Sequence, residues 1–363
     1  MASLSAAYSG KRVFVTGHTG FKGSWLCAWL LDLGAEVTGY SLTSSTKPAL
    51  FDQLGLAPRL DHHIGDVTDA RALKKAVQAA RPHFLFHLAA QPLVRGAHDN
   101  PHGTWDTNVM GTVNVLESLR QVRNPCAAVI VTSDKVYGSR PAAHVEGDPL
   151  SGSEPYGASK AAAELAVEAW RASFFSQGRK HPDLPQVAVA TARSGNVIGG
   201  GDWAADRLVP DVMRALLKGN SAVIRNPASI RPWQHVLDPL AGYLQLGFRL
   251  RSALARGPAS RLRELSAPFN FGPGPGDHRS VRELTHEILS HWPGTWTVAP
   301  AARRIVETGA LRLASGKARR QLGWRPKWRF EAAVAKTVEW YRAVGSGSDP
   351  LRLTMSQLRE HQE

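Results

Sequence analysis

Five side chains capable of hydrogen bonding or proton transfer fall in two short stretches. Ser133, Asp134 and Lys135 follow the apolar run Ala127 to Val131, whose length and β-branched content predict a strand buried on both faces. Tyr156 and Lys160 stand four residues apart just after Pro155, a favourable first residue of a helix, so both share one helical face. A strand end facing a helix start can thus gather a hydroxyl, a carboxylate, an amine, a phenol and a second amine. We read this as an active site. The plain structural alternative is an Asp134–Lys135 ion pair at a strand end.

The elements that must position these groups can be followed from the N-terminus. Arg12 to Thr16 reads as a strand feeding Gly17-His18-Thr19-Gly20-Phe21-Lys22-Gly23, with a helix from Ser24 to Leu33 closed by Gly34. Backbone N–H groups of such a turn, with the helix N-terminus, make a pyrophosphate site. The second strand, Val37 to Ser41, ends in Tyr40-Ser41-Leu42-Thr43 where dinucleotide folds usually place an acid for the adenosine ribose. Ser41, Thr43 or backbone would hold that ribose, and NAD versus NADP stays open at Tyr40. A third strand over His62 to Val67 brings Asp66 to a position that could accept the adenine amino group, and Asp69 caps a helix from Ala70 to Ala80. A fourth strand, Phe84 to Ala90, ends in small residues that let a cofactor lie against the backbone. A helix from Thr104 to Gln121 carries Asn108. The strand with the reactive residues, a helix over 155–176 and a strand from Val187 to Arg193 follow. This alternation predicts an α/β fold, a doubly wound parallel sheet of the Rossmann kind.

That domain is expected over 9–193, completed by part of 232–250. From Ser194 the chain turns rich in Gly, Pro, Trp and Arg, and 194–344 is expected to be mainly a smaller C-terminal substrate-binding lobe. Lys317 to Pro326 and a helix from Phe330 to Val344 end the fold, and 345–363 is expected to be a loose tail.

Composition limits the alternatives. The 363 residues are 43% hydrophobic and 20% charged with no low-complexity tract, enough for an ample core. The start MASLSAAYSGKR lacks the pattern of a signal peptide, and the apolar helix candidate Trp25 to Leu31 stops at Asp32, too short for a bilayer. No membrane association is expected. Cys27 and Cys126 read as buried thiols of a reducing, cytoplasmic compartment, and no metal spacing occurs. His62, His63, His87 and His235 read as scaffold or surface. The net charge of +14 raises nucleic-acid binding, but Arg249, Arg251, Arg256, Arg261, Arg263, Arg303, Arg304, Arg319 and Arg320 are spread out and no basic run of five occurs. A basic bias and an anionic substrate account for the charge, and no nucleic-acid partner is expected.

With Thr16-Gly17-x-x-Gly20-x-x-Gly23 upstream and Tyr156-x-x-x-Lys160 downstream, the chain resembles the extended short-chain dehydrogenase/reductases over about residues 10 to 344. Within them it is similar to the CDP-glucose 4,6-dehydratases. The blocks that carry this are TGHTGFKGSWL (16–26), AAQPLVR (89–95), TNVMGT (107–112), VTSDKVY (131–137), GNVIGGGDWAADRLVPD (195–211) and IRPWQHVLDPLAGYL (230–244). TDP-glucose dehydratases and nucleotide-sugar epimerases share the fold but not the GGGDW and RPWQHV blocks.

The resemblance implies NAD as a recycled cofactor and CDP-glucose as substrate. It implies a hydro-lyase reaction: C4 oxidation, loss of water across C5 and C6, and hydride return to C6. Tyr156, its pKa lowered by the Lys160 ammonium, would take the C4 hydroxyl proton. By position Ser133 would bind the C4 oxygen, Asp134 would protonate the departing C6 hydroxyl, and Lys135 would stand where the C5 base is needed and TDP-glucose dehydratases carry a glutamate. Lys135 must then be neutral and Asp134 protonated. The implied cofactor contacts are Gly17, Thr19, Gly20, Phe21, Lys22, Gly23, Tyr40, Asp66, Val67, Leu88, Ala89, Ala90, Gln91, Asn108, Tyr156 and Lys160. For the nucleotide sugar they are Gln91, Asn196, Asp202, Trp203, Arg207, Arg225 and Arg231. Asn196, Arg207 and Arg231 suit the diphosphate, and Asp202 and Trp203 the base pocket; Arg193 reads equally as structural. Family analogy implies a homodimer or homotetramer paired through helices 104–121 and 155–176. The competing readings are a nucleotide-sugar 4-epimerase, a 4,6-dehydratase of another NDP-hexose, and a catalytically silent dinucleotide-binding protein.

Overall fold

A computed structural model describes residues 4–175, 185–300 and 310–363. Residue 176, the last of the helix expected over 155–176, and the basic pair Arg303 and Arg304 lie outside the described residues. Seven parallel strands form the central sheet: β1 (Arg12–Thr16), β2 (Glu36–Ser41), β3 (Asp61–Ile64), β4 (Phe84–His87), β5 (Cys126–Val131), β6 (Val187–Ser194) and β7 (Pro268–Phe271). Their order is β7-β6-β5-β4-β1-β2-β3, all neighbours parallel. The order reverses between β1 and β4, and there a crevice opens at the strands' carboxyl ends. Helices Phe21–Asp32 and Leu237–Arg256 cover one face, with Trp25, Trp29, Leu240 and Tyr243 buried in its core. Helices Ala70–Ala80, Gly111–Leu119 and Pro155–Phe174 cover the other, through Leu73, Val77, Val115, Leu116 and Val167. Every residue of β5 is buried, as expected of an apolar strand sandwiched between layers.

Boundaries differ from the sequence expectation where the site lies. The first long helix begins at Phe21, not Ser24, so Lys22 and Gly23 are helical. β3 stops at Ile64 and β4 at His87, leaving Asp66 and Leu88 to Ala90 in the loops beyond the sheet edge. The helix expected over Thr104 to Gln121 is Pro101–Trp105, a wider π turn over Asp106–Met110, and Gly111–Leu119.

The expectation of a loose tail is corrected. Pro350–Gln362 is a helix whose N-cap Asp349 accepts a hydrogen bond from the Leu351 backbone at 2.9 Å. Leu358 is fully buried, Trp340 donates to Thr354 Oγ1 at 3.0 Å, and His361 Nε2 lies 2.9 Å from Asp238 Oδ1. Small and polar residues between 345 and 349 suggested disorder. The amphipathic repeat of Leu351, Thr354, Leu358 and His361 outweighs them by supplying a face to bury.

His87 sits within this frame between β1 and the helix layer, its Nδ1 2.7 Å from Thr16 Oγ1 and its Nε2 3.1 Å from Thr112 Oγ1. Burial lowers its pKa from 6.5 to about 3. Buried His18 is likewise brought to about 4, by burial first and by His62 next. The unfolded chain therefore binds more protons than the folded one below pH 6.5, so stability is full above that pH and declines as pH falls toward the folded values. Urea midpoints measured from pH 7.5 to 5.2, above the ordinary carboxylate range, are expected to fall steadily. Flat midpoints across that window contradict it.

Candidate active site

Ser133 ends the fifth strand's loop and caps a single turn, Asp134–Val136, by accepting the Lys135 N–H at 3.2 Å. Its hydroxyl donates to Asp134 Oδ1 at 3.1 Å and also hydrogen-bonds the Tyr156 side chain. Opposite, the helix Pro155–Phe174 starts at Glu154, whose carboxylate accepts from Tyr156 N at 2.8 Å and Gly157 N at 2.7 Å. This cap and Pro155 at the first position fix the start of the helix. Tyr156, Lys160 and Glu164 then recur every four residues along it.

Lys160 is buried, and its ammonium donates to the Val131 carbonyl at 3.3 Å, tying the helix to the end of β5. Burial lowers its pKa to about 8, while Glu164 pulls the other way. Glu164 is saturated: it accepts from Thr132 Oγ1 at 2.5 Å, Thr191 Oγ1 at 2.6 Å, and Arg193 Nε and Nη2 at 2.9 and 3.0 Å. Arg193, left open by the sequence, is therefore structural here; it also donates to Tyr137 Oη at 2.7 Å.

Tyr156 departs from expectation. Burial pushes its phenol up to about 12, opposed first by the Ser133 hydrogen bond and, among nearby charges, by Arg207; Asp134 pushes it further up. The lowering expected from Lys160 is not what this structure shows. Burial also raises Asp134, with Lys135 and Ser133 opposing. Its Oδ2 is buried without a hydrogen-bond partner among the described residues, and the residue lines the cavity. A buried carboxyl held toward its neutral form can donate a proton.

At the crevice, Gly17 adopts φ +73°, and a Cβ there would lie 2.6 Å from Ala89 N. A Cβ on Gly23 would lie 2.1 Å from Gly17 O. The turn is thus pressed against both the β4 loop and the helix start. Gly20 caps that helix with no side-chain hydrogen bond, which leaves the first N–H groups directed at the crevice. Gly17→Ala meets both a clash with backbone and a disfavoured φ of about 1–2 kcal/mol. Its affinity for a dinucleotide is expected to drop by at least about tenfold in fluorescence titration; unchanged affinity contradicts the close-packed turn.

A cavity of about 550 Å³ joins this turn to the reactive cluster. Of the expected residues, Gly17, Thr19, Gly20, Phe21, Lys22, Gly23, Asp66, Val67, Leu88, Ala89 and Ala90 line it, as do Ser133, Asp134, Lys135, Tyr156 and Lys160. So do Asn196, Asp202, Trp203, Arg207, Arg225 and Arg231. Three expected contacts fall outside this lining. Tyr40 stacks on Phe14 and donates to the Asp66 carbonyl at 3.2 Å, beneath Gly65. Gln91 spends its side-chain amide on Leu93 and Thr104, donating to Leu93 O and Thr104 Oγ1 and accepting from Leu93 N. Asn108 is fully buried, braced between the Gln91 backbone and Ser159. None of the three lines the cavity. Each supports the loops that do.

Other placements refine the sequence picture. Arg207 pairs with Asp202 at 3.0 Å, and Asp202 also receives the Tyr341 hydroxyl on its carbonyl. Trp203 donates to Gln53 at 2.8 Å and packs edge-on against Tyr341. Lys22 donates to Ser194 Oγ at 2.9 Å, which meets Tyr243 Oη at 2.7 Å, and burial lowers the amine to about 7. Ser194 and Tyr243 were missed by the sequence reading. They lie far from the motifs in the chain, and nothing in their local pattern signals the meeting. Glu164 had a signal, its four-residue spacing after Lys160.

A parallel sheet with a glycine turn at its switch point, and a Tyr156/Lys160 pair facing Ser133 and Asp134, defines an enzyme of the extended short-chain dehydrogenase/reductase type. The chain matches the family model described as GDP-mannose 4,6 dehydratase over residues 14–337, and it belongs to that family. It is 41% identical to CDP-glucose 4,6-dehydratase of Salmonella typhimurium, over 98% of this chain and 97% of that one. UDP-glucose 4-epimerase of Mycolicibacterium smegmatis is 28% identical over 91% and 98% of the two chains. Among solved structures, a double mutant of the dTDP-glucose 4,6-dehydratase of Streptomyces venezuelae with NAD bound superposes with a TM-score of 0.75. It is 26% identical, covering 94% of this chain and 99% of that one. UDP-glucose 4-epimerase of Thermus thermophilus in complex with NAD also gives 0.75, at 25% identity over 91% and 99%.

Proposed function

We propose that the protein is a CDP-glucose 4,6-dehydratase, an NAD-dependent hydro-lyase that forms CDP-4-dehydro-6-deoxyglucose and water. The observation that carries this reading is the buried Asp134 carboxyl, raised in pKa and with a free oxygen, set between Ser133 and Lys135 beside Tyr156. An epimerase needs a phenol and a lysine but no such acid and base; the full-length 41% likeness to the Salmonella enzyme supports the nucleotide.

The glycine turn fits NAD: Gly17 and Gly23 leave room that a Cβ would fill, and the Phe21–Asp32 helix start offers uncapped N–H groups to a pyrophosphate. When bound, NAD would supply the hydride acceptor for C4 and the hydride donor for C6. Tyr156 accepts the C4 hydroxyl proton, with Ser133 holding that oxygen. Its raised pKa keeps it a protonated phenol in the resting protein, so it becomes a base only as Arg207, whose charge draws the pKa down, and substrate contact help it ionise. Lys160 ties the Tyr156 helix to β5 through Val131. Lys135 takes the C5 proton, and Asp134 gives its proton to the C6 hydroxyl as it leaves.

Incubation with CDP-glucose and NAD is expected to yield a product lighter by one water, about 18 mass units, with no reductant consumed. Parallel reactions with TDP-, UDP- and GDP-glucose identify the base preference. An unchanged mass with inverted C4 configuration replaces this reading with epimerisation. A cytoplasmic homodimer or homotetramer completes the proposal. Exposed Trp105, Met110 and Leu165, on the segments expected to pair, support the assembly, and sedimentation analysis reads its size. No described helix is long and apolar enough to cross a membrane.

A further inference from the structure

Across the mouth of the cavity, two arginines from different parts of the fold meet one carboxylate oxygen. Arg95 Nη1, from the short helix Val94–Asp99 after the fourth strand's loop, lies 3.0 Å from Asp206 Oδ1. Arg225 Nη1, just past the short strand Ala222–Ile224 of the second half, lies 3.1 Å from the same atom. Arg225 Nη2 also donates to the Asp206 carbonyl at 2.8 Å and lies 3.8 Å from Asp211 Oδ2. Asp206 itself is in the left-handed region, φ 62°, uncommon for a residue with a side chain. All four residues line the cavity.

Two guanidinium groups converging on one oxygen form a fork suited to a phosphate. Left without an anion, they would repel across the cleft, and Asp206 supplies that anion internally. We propose that Arg95 is a further substrate-binding residue: with Arg225 it takes the diphosphate of the nucleotide sugar, and Asp206 is the built-in competitor that holds the pair until substrate displaces it. This rests on the nucleotide-sugar reading given above. The three side chains are 27 to 45% exposed, so each ion pair is weak and a diphosphate of higher charge can take its place.

The test measures binding of CDP and of inorganic pyrophosphate to the NAD-loaded full chain by calorimetry. Asp206→Asn keeps a residue tolerant of the left-handed backbone but removes the competing charge. It is expected to tighten CDP binding about fivefold. Arg95→Gln is expected to weaken CDP and pyrophosphate binding about tenfold and to flatten their dependence on salt. The Asp206→Asn gain should shrink in the Arg95→Gln background, because the freed guanidinium is then missing. Weaker or unaltered CDP binding in Asp206→Asn overturns the proposal, as does unaltered CDP binding in Arg95→Gln or a change confined to NAD affinity. Arg95 is half-exposed and its variant tests the idea even if Asp206→Asn folds poorly. Should CDP-glucose not be dehydrated while CDP and pyrophosphate respond as stated, the activity reading fails and the arginine fork stands. Dehydration with no response of either anion separates the opposite case.

Discussion

Replacing Lys135 by alanine is expected to lower dehydration of CDP-glucose by about 10²- to 10⁴-fold while hydride transfer from C4 survives. The side chain projects from a single turn whose backbone is fixed independently by the Ser133 hydroxyl, so the substitution removes the amine without unravelling the turn. The neighbouring acid is left able to work. Lys135 is the largest influence drawing the Asp134 carboxyl down against its burial, and removing that charge moves Asp134 further toward its protonated form. Tyr156 and Lys160 are held by the Glu154 cap and the Val131 carbonyl, neither of which involves Lys135. The variant should therefore oxidise the sugar and stall. Stopped-flow absorbance should show reduced cofactor accumulating to a fraction of the enzyme present. If the first reduction is lost too, Lys135 positions the substrate or Tyr156 and is not the base.

The second large effect lies just behind the site. Removing the Glu164 carboxylate by Glu164→Ala leaves the Arg193 guanidinium, only 3% exposed, without its main counter-charge, and strands the hydroxyls of Thr132 and Thr191. Breaking a buried pair from one side costs about 3–5 kcal/mol. Chemical denaturation should register that loss, and a decrease below about 1 kcal/mol would place the pair among ordinary surface bridges. The same substitution reaches the chemistry, since Glu164 is what opposes the burial-driven lowering of Lys160. With it gone, the Lys160 pKa of about 8 moves lower still, and the corresponding limb of the pH–rate profile shifts toward acid. Arg193→Met with Glu164→Leu, which removes both charges together, should recover much of the stability.

These expectations depend on different amounts of tertiary information. The reactive groups, the glycine turn and the parallel alternation were legible in the chain because each is a local pattern. Strand-to-turn-to-helix periodicity and a four-residue spacing are properties of neighbours in sequence. The four-residue face of Tyr156 and Lys160 extends to Glu164, yet the partner that makes Glu164 matter, Arg193, arrives only when β6 pairs with β5. The C-terminal helix was hidden for a related reason: its own repeat is amphipathic, but the surface it buries against belongs to helices Phe21–Asp32 and Phe330–Gly345.

By itself, then, the sequence determined the fold class, the position of the pyrophosphate turn and the identity of the residues clustered at the end of β5. Hydrophobic period, glycine placement and helical spacing leave few other ways to bury the chain. The tertiary structure alone decided their charge states and assignments. Burial raised the Tyr156 phenol against the expected direction, turned Gln91 and Asn108 into braces, and brought Arg95 to Asp206 and Arg225 across the cleft. The reason is that desolvation and long-range pairing depend on what surrounds an atom in space, which no spacing along the chain specifies.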